Sequence, residues 1–161
     1  MKSAELMRMG VIKKGYESSK IRISAILNLL LVKQKEQNLL LSDKEDKTLE
    51  LLNCKVYLRL YNQRLATAQL EIERVESALE FVKATRTSKE YAMFYQYCFE
   101  DELQLKIANQ YHYSVTTTSK IIREVAQLFL EYWDESHFYM NEAEEQLNQI
   151  LGQSAKETFD P

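Results

Sequence analysis

Apolar residues recur every seven positions between Leu51 and Val82, in two interleaved rows. One row reads Leu51, Leu58, Leu65, Ile72 and Leu79, and the other, three residues later each time, reads Cys54, Tyr61, Ala68, Val75 and Val82. A seven-residue repeat keeps one seam of an α-helix facing a partner, and at 1.5 Å per residue this helix extends roughly 48 Å. A rod that long must lie against something. Leu in one row with Val, Tyr, Ala or Cys in the other departs from the Ile/Val-then-Leu choice of parallel two-stranded coils. A helical bundle is therefore expected, with Leu51, Leu58, Tyr61, Leu65, Ile72, Val75 and Leu79 as the surface through which a homodimer forms.

Upstream, residues 1–17 lack a clear pattern and carry Gly10 and Gly15, which suggests a loose basic start or a short helix ending near Gly10. From Ser18 and Ser19 the run from Ile21 to Val32 is apolar nearly all round, as suits a helix packed on several sides. It is the candidate partner of the seam. Ser42-Asp43-Lys44-Glu45 has capping-box spacing and predicts the start of a second helix running to about Ala84. A first helix of roughly 20 residues against a second of about 40 leaves half the seam for the C-terminal helix or a second copy to cover.

Thr87-Ser88-Lys89-Glu90 repeats the capping box and opens a third helix whose Tyr91, Phe94, Tyr95 and Phe99 read as core. A short segment from Leu103 to Tyr111 follows, then Tyr113-Ser114, then a long helix from about Val115. That helix carries Ile121, Ile122, Val125, Leu128, Phe129, Tyr132 and Trp133 and extends through Phe138, Ala143, Leu147 and Ile150 toward a Gly152 cap. The sequence leaves open a kink at Asp134-Glu135-Ser136-His137. Gly10, Gly15 and Gly152 are the only glycines and Pro161 the only proline, so tight hairpin turns between strands are not expected. The predicted fold is all-α: a long antiparallel helical hairpin, residues 1–86, then a helix-turn-helix with a long C-terminal helix, residues 87–161.

Residues 104–123 have the size and pattern of a helix-turn-helix. Ile107, Ala108 and Tyr111 lie on the first helix, Tyr113 packs under the turn, and Thr118 and Ile121 face inward from the second. The small Ala108 suits two helices meeting near a right angle, because their backbones must approach closely. From Leu103 to Arg123 there is no Asp or Glu in 21 residues, although acids number 24 in the 161-residue chain. A recognition helix carrying carboxylates would be repelled by phosphates, whereas hydroxyls and cations can hold the backbone and reach base edges. Thr116, Thr117, Ser119, Lys120 and Arg123, with Lys106 on the preceding helix, are the candidate DNA-binding residues.

The stretch Leu105-Lys106-Ile107-Ala108-Asn109-Gln110-Tyr111-His112-Tyr113-Ser114-Val115-Thr116-Thr117-Thr118-Ser119-Lys120-Ile121 resembles the promoter-reading helix-turn-helix of sigma factors. It is similar as well to phage-encoded activators of late genes, the ArpU-like autolysin regulators. Together with the aromatic and acidic residues from Phe94 to Glu102, the likeness covers about a third of the chain. It implies a transcriptional regulator from a phage or mobile element that binds double-stranded DNA, with RNA polymerase or another protein as a further partner. Two positions depart from the family's pattern: His112 stands where the turn usually has Gly, and Thr118 where a larger aliphatic residue is usual.

Composition narrows the alternatives. Net charge is −3 and the isoelectric point about 5.5, which argues against a protein that coats polyanions with its whole surface. The charge is unevenly spread, with six Lys/Arg against two Glu in residues 1–22 and eight Asp/Glu against one Lys in residues 131–161. Cys54 and Cys98 are too far apart in sequence for a paired zinc motif, and a reducing, cytoplasmic setting is expected. The ten residues from Ile23 to Val32 are too few to span a bilayer, which takes about 20 residues, so no membrane is expected. His112 and His137 are the only histidines, and Asp134 with His137 supplies one carboxylate–His motif where a di-iron bundle needs two. Phosphate-binding and hydrolase signatures are absent, so neither enzyme activity nor a cofactor is expected. The alternatives to a DNA-binding regulator are a non-enzymatic helical interaction protein, such as an adaptor or inhibitor, and a packaging component like the phage small terminase.

Overall fold

The chain forms an all-α fold, seen in a computed structural model that describes the backbone of residues 3–159. Side chains are described through residue 136 and at 142, 145, 146 and 148–150. Among the described residues there are five α-helices: α1 Ala4–Ser42, α2 Thr48–Thr85, α3 Ser88–Cys98, α4 Gln104–Tyr111 and α5 Val115–Phe159.

The first helix is twice as long as expected, because Gly10 and Gly15 lie inside it. Glycine in a helix interior costs about 1 kcal/mol relative to Ala, which the buried neighbours Leu6 and Met9 outweigh, each contributing up to about 2 kcal/mol. At 39 and 38 residues, α1 and α2 are matched, so α1 can cover the whole seam. The Ser42 box does not cap α2 either. Ser42 donates to the Leu39 carbonyl at 2.8 Å and ends α1, while Asp46 accepts from the Thr48 N–H at 3.1 Å and starts α2.

Two compact units result, Met1–Met9 with Ala78–Pro161 and Gly10–Ser77, instead of a division at residue 86. The beginning of α1 and the end of α2 belong with the C-terminal helices for a physical reason. Arg8 holds Asp134 through two hydrogen bonds of 2.7 and 3.2 Å, Phe81 stacks on Tyr132 at 4.9 Å, and Lys83 approaches the Tyr91 ring at 6.0 Å. Arg8 and Asp134 thus join the basic start of the chain to its acidic final segment.

In the unit Gly10–Ser77, α1 and α2 run antiparallel. Tyr16 donates to Glu76 at 3.3 Å, Ser19 to Glu71 at 2.6 Å, and the Lys33 ammonium lies 4.4 Å from the Tyr57 ring centroid. Cys54, Ala68 and Val75 of the seam are buried and Leu51, Leu58, Tyr61, Leu65 and Ile72 half-buried. The facing row on α1 reads Tyr16, Ser19, Ile23, Ile26, Leu30, Lys33, Gln37 and Leu40, all buried or half-buried at the same heptad spacing. Its polar members hide this second heptad from a purely apolar count. The seven residues expected to join two copies therefore lie in the seam of a single chain, with Val75 and Leu79 buried and the other five half-buried. A homodimer needs a different face.

In the other unit α3 and α4 both pack on α5 and on each other. Phe94 and Phe129 are fully buried with ring centroids 5.9 Å apart, and Phe99 sits 6.1 Å from Phe94 and 6.2 Å from Phe129. Of the four aromatics expected in the core of α3, Phe94 is buried and Tyr91, Tyr95 and Phe99 are half-buried. Helix α5 continues past Asp134 to His137 and past Gly152, so Gly152 is not its cap. The side chains of His137, Phe138, Ala143 and Leu147 lie outside the described residues.

Candidate nucleic-acid interface

Residues 104–123 form a helix, a three-residue turn and the start of a second helix. The chain leaves α3 through Asp101, at φ 56°, with the Glu102 N–H donating to the Gln96 carbonyl at 2.9 Å. Helix α4 ends at His112, which adopts the left-handed conformation at φ 60° and ψ 39°. Histidine enters that region more readily than most residues other than glycine, and the Ala108 carbonyl accepts from the N–H groups of both His112 and Tyr113. Ser114 then caps α5, its hydroxyl accepting from the Thr117 N–H at 3.1 Å and donating to the Thr117 hydroxyl at 2.9 Å.

The inner face of this element is closed. Ile107, Ala108, Thr118 and Ile122 are buried, so the small residue at 108 lies in the helix contact as its size suggests. Ile121, expected to face inward, is half-buried, and Ile122 takes the interior position. Tyr113 is not packed under the turn. It is 38% exposed, with the Lys89 ammonium 4.4 Å from its ring centroid. The Thr118 hydroxyl is buried without a hydrogen-bond partner, the price of a polar side chain where an aliphatic one would fit.

The outer face carries most of the residues selected for DNA contact. Thr116, Thr117, Lys120, Arg123 and Lys106 are exposed, whereas Ser119 is half-buried. Thr116, Lys120 and Arg123 follow one another at helical spacing along a single outward line. Their charges are differently engaged. Lys106 lies 3.4 Å from the Glu102 carboxylate, and Lys120 makes no ion pair among the described residues. Arg123 lies close enough to Glu5 to help hold that carboxyl below its ordinary pKa. The larger causes there are hydrogen bonds from the Glu5 backbone, Gln127 and Ser3.

One residue of this surface escaped the sequence reading. Lys89, at the start of α3, reaches Tyr113 and comes within 6.0 Å of the Tyr111 ring centroid, adding a cation beside the turn. No local motif marks it, because its proximity to the turn arises from the packing of α3 on α4 and α5. The acid-free stretch of sequence ends at Glu124, which lies 3.4 Å from Arg86, itself paired with Glu90.

Compared with protein-family models, curated proteins and solved structures, the chain matches none. The likeness to sigma-factor and phage-activator helix-turn-helix elements thus rests on residues 105–121 themselves. No helix among the described residues is long and apolar enough to cross a membrane. Cys54 and Cys98 are both buried.

Proposed function

We propose that this chain is a DNA-binding transcriptional regulator of the phage or mobile-element kind, using residues 104–123 as a helix-turn-helix. The supporting observation is the two-sidedness of the start of α5. Its inner side, with Thr118 and Ile122, is buried against the rest of the unit, while its outer side presents Thr116, Thr117, Lys120 and Arg123 with no carboxylate of α5 before Glu124, the Glu5 carboxylate of α1 standing beside Arg123 alone. In this reading Lys120, Arg123 and Lys89 contact phosphates, and Thr116 and Thr117 lie in the major groove. Three cations supply modest affinity, so two copies act on paired half-sites.

A mobility-shift titration of the full chain on duplex DNA at several salt concentrations tests the reading. Each lost phosphate contact lowers the salt slope by about 0.9. Lys120→Ala/Arg123→Ala should therefore bind at least tenfold more weakly at low salt, with a slope smaller by roughly 2. Absence of any shift by the wild type on mixed-sequence duplexes at low salt would reject DNA binding and leave a helical interaction protein as the better account.

A further inference from the structure

With the seam satisfied inside one chain, the arm still presents apolar side chains on both flanks: Leu27, Leu31, Leu41 and Leu52, 46–65% exposed, on one, and on the other a set whose flanking charges are self-complementary. Counting each seam residue as the first or fourth of its heptad, Leu29 and Tyr57 occupy seventh positions and Val32, Leu39 and Leu60 third positions. Third and seventh positions lie on the same edge of a helix, and reversing one helix against the other brings those edges to one side of the hairpin. The Lys33 contact with Tyr57 is made across that side. The five side chains are 42%, 43%, 61%, 72% and 40% exposed in the order Leu29, Tyr57, Val32, Leu39 and Leu60. Glu36, the charge within the α1 row, is held by Lys33 at 3.0 Å.

The exposed area of these five residues is roughly 450 Å², the size of the largest apolar patch on a typical monomer, which is often a functional one. It also matches the apolar share, rather over half, of the about 800 Å² that each partner contributes to a standard interface. The charges flanking it are self-complementary. On α2 the same edge reads Glu50, Asn53, Tyr57, Leu60, Arg64, so that Glu50 and Arg64 stand seven residues to either side of Tyr57. Both are exposed. A two-fold axis beside Tyr57, which an isologous dimer of antiparallel helices requires, sets each Glu50 against the other copy's Arg64.

We propose that this flank of the arm docks onto the same flank of a second copy of the chain, the two α2 helices running antiparallel about Tyr57. Burial of Leu29, Val32, Leu39, Tyr57 and Leu60 supplies the association, and the Glu50–Arg64 pairs set its register. The arrangement supplies the dimer that the DNA-binding reading calls for and does not itself require DNA.

Sedimentation equilibrium of the full chain without DNA, across a wide concentration range, reads the mass directly. The wild type should weigh about 38 kDa, twice the 19.0 kDa of one chain. Val32→Glu/Leu39→Glu should be monomeric with unchanged helical circular dichroism, because neither side chain is in the intramolecular seam. Arg64→Glu should weaken dimerisation about tenfold through like-charge contact, and Glu50→Arg/Arg64→Glu should restore it. Leu52→Glu, on the opposite flank, should leave the mass unchanged. A wild type that stays at 19.0 kDa overturns the proposal. So does a dimer that Leu52→Glu dissociates while Arg64→Glu and Val32→Glu/Leu39→Glu do not. A monomer that still shifts DNA would discard the docking flank alone, and a dimer that never shifts DNA would discard the DNA-binding reading alone.

Discussion

Thr118 offers the sharpest test of how the α4–α5 element is packed. Its side chain is fully buried, and its hydroxyl has no hydrogen-bond partner. An unsatisfied buried hydroxyl forfeits its water and costs about 1–3 kcal/mol. Thr118→Val replaces that hydroxyl with a methyl group of nearly the same size and keeps the β-branch, so helix rotamer freedom changes little. The expected result is a gain of about 1 kcal/mol, which raises the thermal midpoint by roughly 2–4 °C in a chain of this length. Thr118→Ser moves stability the other way. It keeps the unsatisfied hydroxyl and removes a packed methyl group, at a cost of about 1 kcal/mol. Thermal and urea unfolding followed by circular dichroism measure both. If Thr118→Val lowered the midpoint, the hydroxyl would be satisfied in solution, and the packing of α5 against α4 would differ from the one described.

Two further expectations concern the turn and the α3 cap. His112→Val places a β-branched residue at φ 60° and should cost about 1–2 kcal/mol, whereas His112→Gly should stay within about 0.5 kcal/mol of the wild type because relieved strain and added chain freedom offset each other. Equal urea midpoints for the two variants would mean that the turn is not left-handed at this residue. Glu90 closes the α3 cap, and its pKa is lowered first by the Thr87 hydroxyl and then by Arg86. The stabilisation this provides is present above the unfolded-state pKa, near 4.3, and is lost as the pH falls through the lower folded-state value. Glu90→Gln should flatten that acid limb in urea titrations at successive pH values, and an unchanged acid limb would exclude the linkage.

The heptads of α2 and the Thr87 cap were legible in the sequence because each depends on contacts at fixed local spacing. Thr87 accepts from the Glu90 N–H at 3.3 Å, as its motif predicts. The position of the turn was legible through the resemblance alone, which puts His112 where the family usually has Gly, and His112 is left-handed. Nearby signals misled where distant contacts outweighed them. Gly10 and Gly15 read as breakers, yet the helix continues through both, since Met9 and Leu6 on one side and Lys13 and Ser19 on the other are buried.

What the sequence determined by itself, then, is the all-α class, the repeat that makes α2 a long packed helix, and an acid-free, hydroxyl-rich helix start after a short turn. Periodicity, capping and charge are properties of neighbouring residues, and they survive in any packing. The tertiary structure alone decided that α1 covers the seam, that both ends of the hairpin join the C-terminal unit, and that Lys89 stands over Tyr113. Those outcomes depend on which surfaces meet across more than 20 residues of chain, and several of the meeting positions, among them Ser19, Lys33 and Gln37, are polar. An apolar pattern cannot announce a partner row that is partly polar, because there the fit is made by hydrogen bonds such as Ser19 to Glu71.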